Sequence, residues 1–304
     1  MDILVTGGTS FTARYLLPEL IENFPSAQIT VTDKCPGAQL PYNISYVNAD
    51  LRERVDIDRL LAGNGPEIIF HLAGYGGRDA NRCFEVNLGA TRNLMEAAAS
   101  LDVKPRILHV SSASVYGVTE HRESPVKEIA PLRPVASYGA SKAAAELAAF
   151  TYFYQYRLPV TVVRPFNLIG PGLPLGLAPA DFLARLRNIQ ANQRGGVLSV
   201  GNLDSERDFV DVRDAVRAYV ALVECDDVWG HPFNVASGVA VSIRTIVESF
   251  IDLIGLHVSI HQDPTFKQQV EVASQVGDFT KLRELTGWAP RFSLQDSLRD
   301  MVCE

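Results

Sequence analysis

The pattern of hydrophobic and polar positions changes its period within the first residues of the chain. Residues 3–5 are an apolar, partly β-branched run that leads to Gly7 and Gly8, and residues 13–23 then carry apolar side chains on one side of a helix. This pattern predicts a strand, a tight turn and a helix. Gly7 suits the turn because a Cβ would obstruct it. Backbone N–H groups at such a turn can approach a pyrophosphate at the positive end of the helix.

Short apolar strands and helical patterns alternate over the first half of the chain. We predict strands at residues 28–32, 43–47, 67–73, 106–111 and 160–163, and helices at 55–61, 87–100 and 137–154. His71 has only apolar neighbours in its strand, so we expect it to be packed inside. Alternating units of this length predict a parallel sheet with helices on both faces. The predicted fold class is therefore α/β, a doubly wound parallel (Rossmann) sheet.

The pattern changes after Arg164, where glycines and prolines interrupt residues 165–179. We interpret residues 1–165 as a dinucleotide-binding domain. Residues 203–237 are expected to return to it, because 232–235 has the pattern of another strand. Residues 166–202 and 238–304 are expected to form a smaller C-terminal substrate-binding lobe, ending in a helix at 294–302 that Ser293 caps.

Composition narrows the functional classes. The net charge of −7 disfavours a nucleic-acid surface, so an anionic substrate needs a local basic pocket. No apolar run reaches the ~18 residues of a membrane span, and the start of the chain leaves no room for a signal sequence. The four cysteines lack metal-ligand spacing. We therefore expect a cytoplasmic protein with reduced thiols, without a metal site and without membrane or nucleic-acid partners.

The glycine turn matches most of a dinucleotide fingerprint. Gly7, Ser10 and Ala13 occupy the three small-residue positions. Alanine is accepted at the third position, whereas Ser10 places a side chain where the cofactor phosphates come closest. Asp33 follows the second strand, about 20 residues later, where a carboxylate can hold the adenosine ribose diol and repel a 2′-phosphate. We therefore predict NAD, with NADP kept possible by the neighbouring Lys34.

A tyrosine–lysine pair is the candidate acid–base group. Tyr138 and Lys142 lie one turn apart on a predicted helix. For proton exchange at neutral pH, the pKa of the phenol must fall by about three units from its usual value, which corresponds to roughly 4 kcal/mol. One cation about 4 Å away at an effective dielectric near 20 supplies about that much. Ser112 follows the preceding strand, where a hydroxyl can hydrogen-bond the substrate oxygen that Tyr138 protonates.

Together these motifs resemble the extended short-chain dehydrogenase/reductases of the NAD-dependent epimerase/dehydratase group, which act on nucleotide-activated sugars. The resemblance covers nearly the whole chain. Beyond the glycine turn, Ser112 and the Tyr138/Lys142 pair, it rests on Asp50-Leu51, His71-Leu72-Ala73, Asn87 with Thr91, and residues 164–167, 201–203, 207–214, 234–238 and 287–290. Within the group, residues 166–172 and 201–214 most resemble GDP-4-keto-6-deoxymannose reductases.

The resemblance implies roles for individual residues. Tyr138 is the acid/base, Lys142 lowers its pKa and holds the nicotinamide ribose, and Ser112 orients the reacting C–O group. Asn167 would hydrogen-bond the substrate, and Arg207 would pair with its diphosphate. The implied cofactor contacts are Gly7, Thr9, Ser10, Phe11, Thr12, Asp33, Lys34, Asp50, Leu51, Leu72, Ala73, Gly74, Asn87, Val110, Tyr138, Lys142 and Pro165.

Some positions depart from the family pattern. Ala113 and Ser114, expected to line the substrate site, stand where the 4,6-dehydratases of the group carry acidic residues, so we do not expect elimination of water. Lys267 stands near the place of a second diphosphate-binding arginine, as a point charge without the two-pronged geometry. Arg78 and Arg82 lie in a shortened loop, and we expect both to be solvated surface charges.

Three functions remain open at this stage. The first is an NAD(P)-dependent reductase of the 4-keto group of a nucleotide-diphospho-6-deoxy sugar. The second is a sugar-nucleotide 4-epimerase that uses the same groups, and the third is a non-catalytic dinucleotide-sensing protein. The expected partner is a nucleotide-diphosphate sugar. A homodimer is expected through the helices at 88–100 and 137–154, which pair subunits in family members.

Overall fold

The structure is a computed structural model that describes residues 1–34, 44–62, 65–119, 124–192, 196–263, 265 and 272–304. Its strands are β1 (Asp2–Thr6), β2 (Gln28–Asp33), β3 (Ile44–Asn48), β4 (Ile68–His71), β5 (Arg106–Val110), β6 (Val160–Pro165), β7 (Asn167–Ile169), β8 (Gly196–Val200), β9 (Glu206–Arg207), β10 (Phe209–Asp211), β11 (Pro232–Val235), β12 (Val241–Ser242), β13 (Val258–Gln262) and β14 (Ser274–Gln275). Its α-helices are α1 (Phe11–Asn23), α2 (Arg54–Leu60), α3 (Ala80–Cys83), α4 (Thr91–Ala99), α5 (Ser137–Tyr156), α6 (Ala178–Ala191), α7 (Val212–Val223), α8 (Ile243–Ile254), α9 (Thr280–Thr286) and α10 (Leu294–Cys303). Within the described ranges, no helix has the length and apolar character that crossing a membrane requires.

A parallel sheet of seven strands is the centre of the fold. The strand order is β11-β6-β5-β4-β1-β2-β3, and every neighbouring pair is parallel. Helices α1 and α7 pack on one face, where Leu20 and Val216 share a core, and α4 and α5 cover the other, where Leu94 and Ala149 do so. The predicted doubly wound α/β fold is confirmed. Because the order reverses between β1 and β4, a crevice opens there at the carboxyl ends of the strands.

Two helical segments differ from the prediction. The helix predicted at 87–100 is preceded by α3 and begins as a π-helical segment, Phe84–Ala90, before it continues as α4. Helix α6 was not predicted, because the prolines and glycines before it suggested irregular chain. Pro179 lies in its first turn, where the missing N–H leaves no intrahelical bond unmade. The capping of α10 by Ser293 is confirmed, and Asp296 completes a capping box.

A second apolar core lies between α6, α8 and α10, where Leu186, Phe250 and Leu298 are fully buried. It contains residues from both segments that we assigned to the substrate lobe. Part of the 238–304 segment lies elsewhere, however, because Leu282 and Trp288 belong to the core shared by α1 and α7. The lobe and the sheet are therefore interleaved along the chain, and β11 adds a strand to the main sheet beside β6.

Asp208 connects the segment between β9 and β10 to the loop that follows β11, at the edge of the main sheet. Its carboxylate is fully buried and accepts hydrogen bonds from the backbone N–H groups of Ser237, Gly238 and Gly277, at 2.8, 2.9 and 3.1 Å. The hydroxyl of Ser237 adds a bond of 2.7 Å. Burial raises the pKa of Asp208, and these hydrogen bonds oppose the rise because they stabilise the charged form.

Candidate active site

A cavity lies at the crevice where the strand order reverses. It is lined by Gly7, Thr9, Ser10, Thr32, Asp33, Lys34, Ala49, Asp50, Leu51, Arg52, Leu72, Ala73, Gly74, Tyr75, Val86 and Ala90. Most of the predicted cofactor contacts are in this lining. The others, which are Phe11, Thr12, Asn87, Val110, Tyr138, Lys142 and Pro165, are not part of it. Arg52 and Tyr75 were missed, because neither belongs to a motif that the sequence displays.

The glycine turn at the end of β1 has a steric reason. Gly7 has φ of +68°, and a Cβ added to it would lie 2.7 Å from the backbone nitrogen of Ala73. A side chain here would therefore push the ends of β1 and β4 apart. Ser10 is the N-cap of α1, and its Oγ accepts a hydrogen bond of 3.2 Å from Ala13 N–H. The serine that departs from the fingerprint thus caps the helix, and the cradle fits a pyrophosphate beside that helix end.

Asp33 and Thr9 join the second strand to the glycine turn. One carboxylate oxygen of Asp33 accepts hydrogen bonds from Thr9 Oγ1 at 2.6 Å and Thr9 N–H at 3.2 Å. The other oxygen accepts the Lys34 N–H at 2.8 Å. Because Asp33 also lines the cavity, its negative charge faces the place where the motif puts the adenosine ribose.

The charged side chain of Arg52 lines the same cavity. Its guanidinium binds the Asp50 carboxylate through Nε at 3.0 Å and Nη2 at 2.6 Å, and its Nη1 binds Glu85 at 2.7 Å. The hydrogen bonds from Arg52 lower the pKa of Asp50. The predicted contact Asp50 is therefore already paired, and Arg52 presents a planar cation beside it.

Asn87 belongs to a buried hydrogen-bond network beside the cavity, and its predicted cofactor contact stays a prediction. It is 1% exposed, and its side-chain oxygen accepts the Tyr75 N–H at 2.7 Å. Its Nδ2 donates to the Tyr75 carbonyl at 3.0 Å and to Ser141 Oγ at 2.9 Å. Through these three bonds, Asn87 holds the Tyr75 loop against α5. The π-helical turn that carries it could not be deduced from residue periodicity.

The tyrosine–lysine pair lies at the start of α5, as predicted. Tyr138 is half-buried, and Lys142 is 4% exposed with its Nζ donating to the Val110 carbonyl at 2.8 Å. A Cβ on Gly74 would lie 3.0 Å from that Nζ, so the small residue at the cavity edge leaves room for the ammonium. Burial lowers the pKa of Lys142 to about 8, and the Glu146 carboxylate opposes the shift.

The expected effect of Lys142 on the phenol requires a correction. Burial raises the pKa of Tyr138, and the group that lowers it is the Ser112 side chain, through a hydrogen bond. The Lys142 ammonium instead donates a hydrogen bond to the Val110 carbonyl. The structure does bring Ser112 to Tyr138, as the sequence predicted. The phenol is therefore in its protonated form at neutral pH.

The serine-rich segment divides between the site and the core. Ser112 accepts the Ser114 N–H at 3.1 Å, and Ser114 is exposed. Ala113 was predicted to contact substrate, but it is 4% exposed and packs in a core cluster with Tyr116 and Phe166. The methyl group of Ala113 therefore contributes packing to the floor of the site.

Two of the remaining predicted positions, Asn167 and Arg207, follow the main-sheet strand β6 and lie on β7 and β9. Asn167 donates through Nδ2 to the Asp208 carbonyl at 2.9 Å, and Arg207 Nη1 donates to the Val272 carbonyl at 2.8 Å. Pro165 is buried at the end of β6, in register with Val235. Lys267 lies outside the described residues.

Arg78 and Arg82 are both exposed, as predicted, and Arg82 also contacts an aromatic ring. Its guanidinium carbon lies 4.4 Å from the centroid of the Tyr75 ring, which is a cation–π geometry. Arg82 therefore covers the loop that Asn87 clamps, beside the cavity.

Comparisons with known proteins identify the family of this chain. The NAD dependent epimerase/dehydratase family matches residues 3–236. GDP-6-deoxy-D-mannose reductase of Pseudomonas aeruginosa is 31% identical over 244 residues, which are 79% of this chain and 80% of that protein. The solved structure of RMD from Pseudomonas aeruginosa with NADPH has a TM-score of 0.85 at 28% identity, covering 99% of this chain and 97% of that one. UDP-glucose 4-epimerase of Thermotoga maritima with UDP-glucose has a TM-score of 0.88 at 26% identity, covering 99% and 97%.

The fold and the site define an NAD(P)-dependent enzyme of the extended short-chain dehydrogenase/reductase type. The chain belongs to the NAD-dependent epimerase/dehydratase family. The cavity fits the dinucleotide of that family, because the glycine turn at Gly7, the helix N-cap Ser10 and the carboxylate of Asp33 line the same space. Gly7, Thr9 and Asp33 would hold the adenosine half, with Lys142 beside the nicotinamide half.

The buried ammonium of Lys142 predicts a pH dependence of stability. Its pKa is about 8 in the folded chain and near 10.5 when exposed. Between these values the unfolded chain binds a proton that the folded chain has released, so the free energy of unfolding gains a term that rises with pH. Urea titrations at pH 7.5 to 10.5 should show this rise in the wild type relative to Lys142→Met.

Lys127→Met is the matched control, because the Lys127 side chain is 66% exposed. It should leave the wild-type pH dependence unchanged. A wild type and a Lys142→Met variant with parallel pH profiles would contradict the burial of a charged ammonium at this site.

Proposed function

We propose that the enzyme reduces the 4-keto group of a nucleotide-diphospho-6-deoxy sugar with NAD(P)H. The observation that carries the proposal is the protonated phenol of Tyr138, hydrogen-bonded to Ser112 at the carboxyl ends of the strands. The similarity to a GDP-6-deoxy-D-mannose reductase supports it. A 6-deoxy-4-keto sugar offers a carbonyl that needs one hydride and one proton, and these residues can provide the proton.

Each catalytic side chain has one task in this proposal. Bound NAD(P)H supplies the hydride. Ser112 donates a hydrogen bond to the carbonyl oxygen and holds it, and Tyr138 delivers the proton as the oxygen gains charge. Its raised pKa keeps the phenol protonated at neutral pH, so Tyr138 holds the proton that reduction requires. Lys142 binds the nicotinamide ribose.

Residues of the second part of the molecule would hold the nucleotide end of the substrate. We assign Arg207 and Lys267 to the diphosphate and Asn167 and Ser114 to the sugar side of the pocket. Arg207 lies on β9, which pairs with β12 and β14, so its backbone is fixed beside the sheet edge. We also assign residues 166–202, and the part of 238–304 outside the main core, to substrate binding.

A sugar-nucleotide 4-epimerase is the second candidate function. The likeness to a UDP-glucose 4-epimerase over nearly the whole chain supports it, and the same three side chains would serve. Epimerisation requires Tyr138 to act first as a base, and its raised pKa disfavours that step. Ala113 and Ser114 provide no carboxyl group for a dehydratase. Since the family consists of enzymes, the dinucleotide-sensing hypothesis is the least supported of the three.

Tyr138→Phe removes the proton donor and keeps the ring. The variant should lose NAD(P)H oxidation with a 4-keto-6-deoxy sugar nucleotide by about 100-fold or more, the scale of general acid catalysis. Cofactor affinity should stay within about threefold, because the phenol is not part of the cradle. Stopped-flow absorbance measures the first quantity and cofactor fluorescence titration the second.

The exposed Tyr154→Phe, on the same helix, is the control and should keep wild-type turnover. Full turnover by Tyr138→Phe would exclude both the reductase and the epimerase. Interconversion of two sugar nucleotides without net NAD(P)H consumption would select the epimerase.

Asp33 should set the preference for NADH. Asp33→Asn keeps an oxygen for the Thr9 hydrogen bonds but removes the charge that repels a 2′-phosphate. The ratio of kcat/KM for NADPH over NADH should rise by about tenfold, which corresponds to the loss of one charge repulsion in a partly exposed site. Asp102→Asn removes an exposed charge elsewhere and should not change the ratio. An unchanged ratio in Asp33→Asn would refute this role.

We further propose a cytoplasmic homodimer that pairs through α4 and α5. Leu147 and Tyr154 on α5 are 63% and 67% exposed, which leaves an apolar face on that helix. Leu147→Glu should shift the sedimentation velocity from dimer to monomer, whereas Val197→Glu, at an exposed position of β8, should not. A wild type that sediments as a monomer would contradict the dimer.

Free thiols at Cys83, Cys225 and Cys303 support a cytoplasmic location, and cell fractionation tests it.

A further inference from the structure

His71, at the end of β4, is completely buried and bonded on both sides of its ring. Its Nδ1 lies 2.7 Å from Thr6 Oγ1 at the end of β1, and its Nε2 lies 2.9 Å from Thr91 Oγ1 on α4. Thr6 comes directly before the glycine turn. The ring therefore bridges the strand that leads into the cofactor cradle and a helix on the opposite side of the site.

The neighbouring hydrogen bonds decide which nitrogen carries the proton. Thr91 Oγ1 donates its only hydrogen to the Asn87 carbonyl at 2.6 Å, so it must accept from His71 Nε2–H. Nδ1 is then an acceptor and receives the hydroxyl hydrogen of Thr6, whose oxygen accepts the Ala73 N–H at 3.3 Å. Burial lowers the pKa of His71 to about 3, so the ring stays neutral in this single tautomer.

The same chain of contacts continues to the catalytic helix. Asn87 Nδ2 donates to Ser141 Oγ at 2.9 Å, and Ser141 Oγ donates to the Tyr138 carbonyl at 2.8 Å. The side chain of Asn87 also fixes the Tyr75 loop at the cavity edge. Buried polar groups thus connect the residue before Gly7 with the first turn of α5.

We propose that His71 is a positioning residue that sets the glycine turn and the Tyr138 turn in register, so that cofactor binding and proton transfer depend on its two hydrogen bonds. The claim about proton transfer rests on the proposed function. The claim about cofactor binding rests only on the glycine turn and the cavity beside it. His71 contacts neither the cavity nor the phenol in the described residues, and it acts through Thr6, Thr91 and Asn87.

His109 offers a natural control on the neighbouring strand. It is also fully buried, is in register with His71, and stacks on it with 5.2 Å between ring centroids. Within the described part of the chain, neither of its ring nitrogens has a hydrogen-bond partner. The two histidines therefore share burial and ring contacts and differ in hydrogen bonding.

The first test compares His71→Phe with His109→Phe. Both keep an aromatic ring in the core, but only His71→Phe removes two hydrogen bonds and leaves Thr6 and Thr91 without that partner. His71→Phe should raise the Kd for NADH or NADPH, whichever the wild type binds more tightly, by about tenfold, the scale of one to two net hydrogen bonds. It should also lower kcat, with GDP affinity kept within twofold. His109→Phe should leave all three values within twofold.

The second test removes the link without touching the histidine. Thr91→Val keeps the shape of the side chain and deletes the hydroxyl, and it should weaken cofactor binding as His71→Phe does. Thr91→Ser restores the hydroxyl and should restore the affinity. If His71→Phe does not fold, the comparison of Thr91→Val with Thr91→Ser still tests the proposal. The melting temperature of each variant shows whether it is folded.

The outcomes separate the two proposals. Equal cofactor affinity in His71→Phe and His109→Phe would overturn the inference, as would a Thr91→Ser variant that binds no better than Thr91→Val. Parallel loss of NADH and GDP binding would also overturn it, because it would show only structural damage. Cofactor titration uses no sugar substrate, so an enzyme that fails to reduce 4-keto sugars would refute the proposed function and leave this test intact.

Nitrogen NMR of labelled histidine tests the tautomer. The His71 ring should keep Nε2 protonated and Nδ1 unprotonated from pH 5 to 9.

Discussion

A buried ion pair between Glu146 of α5 and Arg164 of β6 holds the catalytic helix against the sheet. The shortest contact is 2.6 Å, and the side chains are 1% and 5% exposed. Arg164 also donates to the Tyr116 hydroxyl and the Glu128 carbonyl at 3.0 Å each, and Ser111 donates to Glu146. A buried pair offsets its desolvation only when its remaining polar atoms are bonded, and losing one partner costs about 3–5 kcal/mol. The rotation of α5 about its axis is therefore strongly determined.

The position of Lys142 and the protonation of Tyr138 follow from that rotation. Lys142 lies one turn before Glu146, so the helix face that carries the carboxylate also carries the ammonium over the end of β5. Exclusion of water at this place lowers the pKa of the lysine and raises that of the tyrosine. A single structural cause, burial of one helix face, thus keeps the phenol protonated and makes the nearby ammonium more acidic.

The sequence predicts the features that depend on local pattern. Strand and helix periodicity, the positive φ at Gly7 and the spacing of Tyr138 and Lys142 are all local, and each appears in the structure. Features that depend on distant residues could not be predicted in the same way. Asn87, for example, binds the Tyr75 loop through partners that are set by tertiary packing. The source of the pKa shift at the phenol was misjudged for the same reason, since spacing on a helix does not show what the ammonium contacts.

Arg207 and Ser112 are held relative to each other by strand pairing and by hydrogen bonds of two buried side chains, Gln275 and Asp208. β9, which carries Arg207, pairs with β14, and Gln275 of β14 donates long hydrogen bonds of 3.4 Å to the carbonyls of Ala113 and Gly117. Asp208, the next residue after Arg207, is bonded to Gly277 and to the loop that follows β11. A shift of Arg207 relative to Ser112 would break several of these bonds together. The separation of Arg207 and Ser112 is therefore part of the folded structure. Under the proposed function, this separation selects substrates by the length between their diphosphate and their carbonyl group.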